Sequence, residues 1–297
     1  MKEPLDFSPA THQINELLYP VKLLPILAVS SEDEPAFETN RHKAIINENT
    51  KEIVSIVSSN YKLLSNKEAI ERGKSAFKTL FPKVDIDELI PFKVIAPNSL
   101  ASCHIDFIHR DVKLSDSDWE QDTWFPFLRV SNSYNRTVAF KLELGFVREL
   151  CSNGVIFQKD TLEIKQYHDK ELKANFIEIS ERLKQYEKAF VAHLNRLKSI
   201  KIESKLVFDV VCKVLNLKFD VNNQNPNVRD REIGRKEKTM SIINEITQAY
   251  FNEMSGTAYA VMNVLSDFVS HQSDYRCIPG FFINPDVYYQ KVGAWMR

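Results

Sequence analysis

The pattern of hydrophobic and polar positions divides the chain into a strand-rich part followed by a helical part. Residues 138–150 fit a strand through Phe140 and Phe146, but a helix remains an alternative because Val147 and Leu150 fit neither period. Alternating or β-branched segments predict further strands at 52–57, 102–112, 124–131, 155–157 and 162–167.

Helices are predicted where apolar residues recur every three or four positions. The clearest spans 66–80, because Ser65 and Glu68 form a capping-box pattern before it and Pro82 follows it. A short amphipathic helix is predicted to end at Trp295. Other periodic segments predict helices at 170–198, at 202–217 and at 237–272, the last as one helix or as two helices separated near 255–256.

These elements predict an α+β fold with three regions. A proline-rich N-terminal arm, residues 1–50, is expected to be irregular, because five prolines recur in it and proline removes a backbone donor. A mixed, strand-rich core domain is expected over 51–169, and a mainly helical C-terminal region over 170–297. The arm is expected to pack on a neighbour or on another copy.

Composition excludes several functional classes. The chain has 43% hydrophobic and 27% charged residues and a net charge of −1, which is typical of a globular protein. It has only seven glycines among 297 residues, and no glycine-rich phosphate-binding motif occurs. A Rossmann oxidoreductase or a P-loop motor is therefore not expected. No apolar segment reaches the roughly 20 residues of a membrane span, and no secretion signal is evident.

Charge is distributed unevenly along the chain. Residues 1–50 contain four basic and eight acidic side chains, whereas residues 181–205 contain seven basic and three acidic ones. The basic stripe is suited to nucleic acid or to an acidic protein partner. The alternative is a helix face that is simply solvated.

We predict no catalytic, metal or cofactor site. The four cysteines form no C-x-x-C pair and are expected to be free thiols in a reducing cytosol, with an interchain disulfide as an alternative. Asp160 with Glu163 and Lys165 resembles a fragment of a magnesium-dependent nuclease site. That fragment arises easily by chance in a highly charged chain, so a nuclease is the least favoured hypothesis.

Three stretches resemble a phage- and plasmid-like family of domain-of-unknown-function proteins. They are 60–69; the segment 131–154 with its polar turn, Gly145, Arg148 and Cys-Ser-Asn-Gly terminus; and 257–271. The resemblance implies a mobile genetic element acting in the cytoplasm of a bacterial host. By length and setting, the chain also resembles phage-encoded inhibitors of the Gabija nuclease–helicase defence system.

These considerations lead to two main hypotheses. The first is a non-enzymatic phage or mobile-element protein, a homo-oligomer, that inhibits a host protein assembly such as a Gabija-type defence nuclease by blocking DNA access. The second is a DNA-binding accessory protein of phage recombination or plasmid establishment. Neither involves a membrane.

Candidate contact and turn residues follow from residue type. Arginine and aromatic side chains are enriched at interface hot spots, and arginine and lysine contact phosphates. The contact candidates are Arg136, Arg148, Lys184, Lys188, Arg196, Arg229, Arg231, Arg235, Phe281, Phe282, Tyr288, Tyr289 and Trp295. The predicted structural turns contain Asn132, Asn153 and Gly154.

Overall fold

The computed structural model describes most of the chain in several stretches. The described residues are 8–29, 37–114, 123–149, 154–156, 163–166, 176–271, 277–278, 281 and 285–295.

The N-terminal region contains a short helix and a three-stranded antiparallel sheet. Helix α1 spans Thr11–Leu17, and the strands are β1 (Val21–Ala28), β2 (Phe37–Asn47) and β3 (Ile53–Ser58), in the order β1-β2-β3. The prediction that residues 1–50 are irregular is therefore wrong for the described part. Pro25 is accommodated because β1 is an edge strand with a bulge beside this proline, where a missing donor costs little.

Helix α2 (Asn66–Leu80) follows this sheet and begins as predicted. The Ser65 hydroxyl accepts a hydrogen bond from the backbone N–H of Glu68, whose carboxylate accepts one from the Ser65 backbone. The Ser65 backbone N–H and hydroxyl, which both donate to the Glu68 carboxylate, hold the pKa of Glu68 below its usual value. Gly73 faces Val130 and brings α2 close to the central sheet.

The central sheet is antiparallel and contains six strands. They are β4 (Ile90–Ile95), β5 (Ser102–Ile108), β6 (Trp124–Ser133), β7 (Phe140–Arg148), β8 (Gly154–Ile156) and β9 (Glu163–Gln166). The order is β4-β5-β6-β7-β8, with β9 also paired to β7. Every residue of β5, β6 and β7 is buried, so both faces of these strands are covered. Within the segment 138–150, Phe140–Arg148 thus forms a strand, and not a helix.

Five helices make up most of the C-terminal half. They are α3 (Phe176–Ser199), α4 (Val207–Leu215), α5 (Pro226–Met254), α6 (Ala258–His271) and α7 (Pro285–Trp295). The expected break lies between α5 and α6. Helix α5 begins earlier than predicted, because Asn225 caps it and Pro226 occupies its first turn. The fold is therefore α+β, with strands before helices.

The main hydrophobic core joins the central sheet to the helices, and a smaller cluster of Ile45, Val57, Tyr61 and Tyr134 packs against the N-terminal sheet. The main core runs from α2 through the central sheet to α3, α6 and α7. Phe190 of α3 stacks on Phe146 and contacts Trp124 edge-on, with centroid distances of 4.6 and 5.0 Å. In the described part of the chain, no helix has the length and apolar character needed to cross a bilayer.

Replacing Gly73 with alanine is expected to destabilise the fold by about 1–3 kcal/mol, because the added Cβ would lie 2.3 Å from Cγ2 of Val130. Gly234 in α5 is the matched control. A Cβ there meets nothing within 4 Å, and alanine is favoured over helical glycine by about 1 kcal/mol. Urea unfolding should give opposite signs for the two variants. A Gly73→Ala protein as stable as the wild type would contradict the close packing of α2.

Candidate functional site

Strand register brings four charged residues into one row across the central sheet. Lys93 of β4 pairs with Asp106 of β5. Asp106 pairs in turn with Arg129 of β6, which pairs with Glu143 of β7. Directly paired residues project from the same face of an antiparallel sheet. The row therefore places alternating charges side by side on one face.

A second polar row lies beside the first. His104 pairs with Ser131, which pairs with Lys141, and His104 Nδ1 lies 2.8 Å from the Ser131 hydroxyl oxygen. We call the two rows together the charged face, comprising Lys93, His104, Asp106, Arg129, Ser131, Lys141 and Glu143. All but the part-buried Lys93 are buried.

Asp106 and Arg129 form a bidentate ion pair at the centre of the charged face. Arg129 Nε and Nη2 each donate to one Asp106 carboxylate oxygen at 2.6 Å, and the side chains are 2% and 0% exposed. Beside this pair, Lys141 Nζ lies 3.2 Å from Glu143 Oε2. Breaking such a pair would leave a charge in a medium that solvates it poorly.

Helix α7 covers the charged face with polar contacts. The Tyr289 ring centroid lies 4.3 Å from Cζ of Arg129. Lys93 Nζ donates to the Tyr289 hydroxyl oxygen at 3.0 Å and also to the backbone carbonyl of Ser270 in α6. Gln290 Nε2 donates to Glu143 Oε1 at 2.9 Å. Two consecutive residues of α7 are thus bound to this face.

Electrostatics favour the charged form of Arg129 and make Tyr289 more acidic than usual. Burial opposes the charge on Arg129, but the adjacent Asp106 carboxylate outweighs it and raises the pKa. Burial alone would raise the pKa of Tyr289, but Lys93 and Arg129 lower it below its ordinary value. The charged face therefore stabilises negative charge at the Tyr289 oxygen.

The hydrogen bonds of the charged face are suited to fixing side chains in place. Both oxygens of Asp106 accept from Arg129, and the two oxygens of Glu143 accept from Gln290 and Lys141. A carboxylate engaged in this way is poorly placed to exchange protons with a substrate. The observed arrangement anchors α7 and concentrates hydrogen-bond donors beneath it.

Sequence reasoning missed the charged face. Its polar residues alternate with apolar ones along β5, β6 and β7, which predicts a solvated outer face. The signal that distinguishes a buried face is charge matching between strands, since His104 and Asp106 recur two residues apart, as do Arg129 with Ser131 and Lys141 with Glu143.

The turn predicted at Asn132 lies further along the chain, at Arg136. Asn132 belongs to β6, and its buried amide donates to the carbonyl of Leu64 and to Oδ1 of Asn66 at 3.0 and 2.9 Å. It therefore ties α2 to the sheet and is not a turn residue. The turn contains Arg136, which is exposed and has a φ of 62°. Gly154 begins β8, and Asn153 lies outside the described residues.

Arg148 is buried and has partners within the fold. Its guanidinium lies 3.4 Å from Oδ1 of Asn263 and 3.7 Å from a carboxylate oxygen of Glu253. It also lies 5.9 Å from the Tyr259 ring centroid. Arg148 thus joins β7 to α5 and α6 and is not available as a surface contact.

The basic candidates on the helices divide into two groups. Lys188 and Arg196 of α3 are exposed, whereas the side chain of Lys184 lies outside the described residues. On α5, Arg229 and Arg231 are exposed and lie within 4 Å of the acidic side chains that follow them. Arg235 bonds to Glu232 and to the carbonyl of Lys218 and lies over the Phe219 ring.

The aromatic tail is partly core. Phe281 and Tyr289 are each 1% exposed, so they are not surface contacts. Tyr288 and Trp295 are half-buried and pack against the core, and Phe282 lies outside the described residues.

The nuclease-like fragment lies beside the charged face in register. Glu163 and Lys165 of β9 pair with Glu143 and Lys141 of β7. Asp160 lies outside the described residues. Register alone does not assemble a metal site from these residues.

Glu88, His109 and Asp111 offer three ligand atoms within 4.8 Å of one another. His109 Nδ1 accepts a hydrogen bond from the Asp111 backbone N–H at 3.1 Å. A neutral imidazole has one acceptor nitrogen, so Nε2 carries the proton and points towards Glu88 at 3.5 Å. Metal-bound histidines instead donate from the second nitrogen, so this cluster fits an imidazole–carboxylate pair better than a metal site.

Cys103 is buried and unsuited to nucleophilic chemistry. Burial raises the pKa of its thiol to about 12, and a reactive cysteine requires a lowered pKa. Cys103, Cys212 and Cys277 are free thiols, whereas Cys151 lies outside the described residues.

The most exposed large hydrophobic side chains of the described residues all lie in the N-terminal region. Their exposed fractions are 58–63%. We call this set the N-terminal apolar surface: Leu27, Val29, Phe37, Ile53 and Ile56.

A family model matches residues 106–280, which is more than half of the chain. The chain belongs to the DUF932 family. The family is described as a domain of unknown function, and the match includes most of the charged face and helices α3 to α6. Of the three stretches noted from the sequence, 131–154 and 257–271 lie within the match, and 60–69 lies outside it. No curated protein and no solved structure matches the chain.

Replacing Asp106 with alanine is expected to lower the free energy of unfolding by about 3–5 kcal/mol, because Arg129 would remain buried without its partner. The double variant Asp106→Leu/Arg129→Met removes both charges, so its free energy of unfolding should fall much less. Urea unfolding of both variants tests this. A double variant as unstable as Asp106→Ala would show that the loss comes from packing and not from the unpaired charge.

Proposed function

We propose that this protein acts by binding another protein, and that it is not an enzyme. The observation that supports this is the N-terminal apolar surface. Single exposed hydrophobic residues are common, but the concentration of the most exposed ones in one region of the chain favours an interaction site there. In the described part of the chain, the other exposed large hydrophobic side chains are 38–46% exposed, below every member of this set.

Register groups part of this surface on one face of the three-stranded sheet. Ile56 pairs with Ala44, which pairs with Leu24 in β1. In the adjacent row, Ile53 pairs with Ile46. A bulge in β3 lies between these rows and brings Ile53 and Ile56, three positions apart, to the same face. The face is therefore apolar. Ala44 on it is buried, but Ile53 and Ile56 are exposed, which favours burial of these two side chains against a partner.

The partner we propose is a protein assembly of a bacterial host, because the sequence resembles proteins of phages and plasmids. Binding would inhibit that assembly in the host cytoplasm, for a defence nuclease by blocking DNA access. The family match gives no support to the narrower Gabija hypothesis, so the test must include several defence systems. The same apolar face can also pair two copies, and light scattering would detect a homo-oligomer.

The state of the acidic groups supports a binding role. The carboxylate oxygens of Asp106 and Glu143 are engaged by Arg129, Lys141 and Gln290 beneath α7. Their contacts are those of a structural network.

The double variant Ile53→Ser/Ile56→Ser is expected to lose the partner, because it removes two exposed anchors without opening the core. The tagged protein would be cross-linked in hosts that carry defined defence systems, and captured proteins would be quantified by mass spectrometry. The captured amount of one host assembly should be at least tenfold lower with the variant than with the wild type. Protection of phage or plasmid growth should be lost in parallel.

Leu206→Ser/Met240→Ser is the matched control, since these side chains are 46% and 45% exposed but lie on the C-terminal helices. It should capture the same assembly as the wild type. Equal capture by all three proteins, or no effect of expression on phage or plasmid growth in any strain, would contradict the proposal.

A second candidate function is DNA binding, favoured by the basic side chains at the end of α3. Lys188, Arg196, Lys198, Lys201 and Lys205 are all exposed. Glu203 is the one acidic residue between 188 and 205, and it pairs with Lys205. The stripe retains an excess of positive charge, which suits phosphate contacts.

If DNA is bound there, Lys198→Glu/Lys201→Glu should weaken binding roughly tenfold or more and reduce its salt dependence, because fewer counterions are released. Labelled single- and double-stranded DNA would be titrated at two salt concentrations. Arg229→Glu/Arg231→Glu is the control, since these side chains already neighbour acids. Absence of wild-type binding at low salt would reject this candidate.

A further inference from the structure

The charged face has more hydrogen-bond donors than its carboxylates can accept. Its described side chains include three cations, Lys93, Arg129 and Lys141, and two carboxylates, Asp106 and Glu143. Arg129 uses Nε and Nη2 on Asp106, while its buried Nη1 has no hydrogen-bond acceptor among the described residues. A buried donor on a charged group is costly to leave without an acceptor. The arrangement therefore favours an additional negative group near Arg129.

Tyr289 lies where that negative group would be. Its ring lies over the Arg129 guanidinium, with its centroid 4.3 Å from Cζ, and its hydroxyl oxygen accepts from Lys93 at 3.0 Å. Lys93 and Arg129 also lower the pKa of this phenol against the effect of burial. The Tyr289 oxygen thus marks the place where the charged face best stabilises an anion.

We propose that the charged face is a binding site for a phosphate group, and that Tyr289 occupies its place while α7 is docked. The oxygens of a phosphate would accept hydrogen bonds from Lys93 Nζ and Arg129 Nη1 after Tyr289 moves away. Several acceptor oxygens on one anion match a guanidinium and an ammonium better than one phenol oxygen does. This site is separate from the N-terminal apolar surface and does not depend on the proposed function.

The contacts of α7 are compatible with its release. Tyr289 and Gln290 hold the charged face through polar contacts, and Lys291 donates to the carbonyl of Leu215 at 2.9 Å. Polar contacts are exchanged for contacts with water at modest net cost. Tyr289 and Val292 are buried in the hydrophobic core, and Tyr288 and Trp295 pack against it, which keeps α7 docked in the absence of a ligand.

Tyr289→Phe tests the proposal, because it removes the hydroxyl that accepts from Lys93, so the ring leaves Arg129 more readily and phosphate can take its place. Isothermal titration with inorganic phosphate, at ionic strength held constant with chloride, should show at least tenfold tighter binding than the wild type. Adding Lys93→Met to this variant should abolish the gain. Tyr288→Phe is the control, since the half-buried Tyr288 packs against Phe281 and Lys291, and it should bind as the wild type does.

Dimethyl phosphate distinguishes a free phosphate from a phosphodiester of the kind found in nucleic acids. Tighter binding of inorganic phosphate would indicate a free phosphate or a phosphomonoester, and equal or tighter binding of the diester would indicate a phosphodiester. The proposal fails if Tyr289→Phe binds neither compound more tightly than the wild type does. It also fails if Lys93→Met leaves the gain intact, provided that circular dichroism shows every variant folded.

Discussion

The buried ion pair between Asp106 and Arg129 is the constraint on which the central sheet depends. It lies in the middle of the six strands with both side chains almost wholly excluded from solvent. Charges in that position are stable only when they are paired and bonded, so the strand register, the neighbouring Glu143 and the docking of α7 are all tied to it. The opposite face of the sheet is apolar and packs on α2 through Val130. Ion pairs and hydrogen bonds therefore stabilise one face of the sheet, and hydrophobic packing stabilises the other.

This division separates two surfaces of different chemistry. The N-terminal sheet is joined to the central sheet through tyrosine contacts, since the Tyr61 hydroxyl donates to the carbonyl of Ser133 and Tyr61 and Tyr134 form a buried cluster with Ile45 and Val57. Its other face is apolar and partly exposed, which suits a protein partner. The charged face is instead enclosed, which suits a small anion or a structural role.

Much of the element order could be predicted from the sequence, but the burial of the charged face could not. Capping at Ser65 and the helical periods of α2 and α3 are local signals, and the structure confirms those elements. The strand assignment of Phe140–Arg148 needed the pairing partners in β6. The strand at 53–58 was predicted, but β1 and β2 were missed because prolines dominate the local pattern, whereas the pairing of β1 with β2 decides the outcome.

The candidate sites were less accessible to sequence reasoning than the elements. Phe281, Tyr289 and Arg148 were expected at a surface because of residue type, and tertiary packing buries all three. The alternation of polar and apolar residues in β5, β6 and β7 indicates a shared charged face only when the strand register is known. Tyr289 comes from a helix more than 140 residues away from Glu143 in sequence, so no local pattern could associate them.

Phosphate binding at the charged face requires that α7 can leave this face while the central sheet stays folded. Amide hydrogen exchange of the wild-type protein, followed by mass spectrometry, measures this directly. We expect amides of Val287–Trp295 to exchange much faster than those of β5, β6 and β7, through a local opening that phosphate accelerates. Exchange of α7 at the same rate as the central strands, with no effect of phosphate, would contradict phosphate binding at this face.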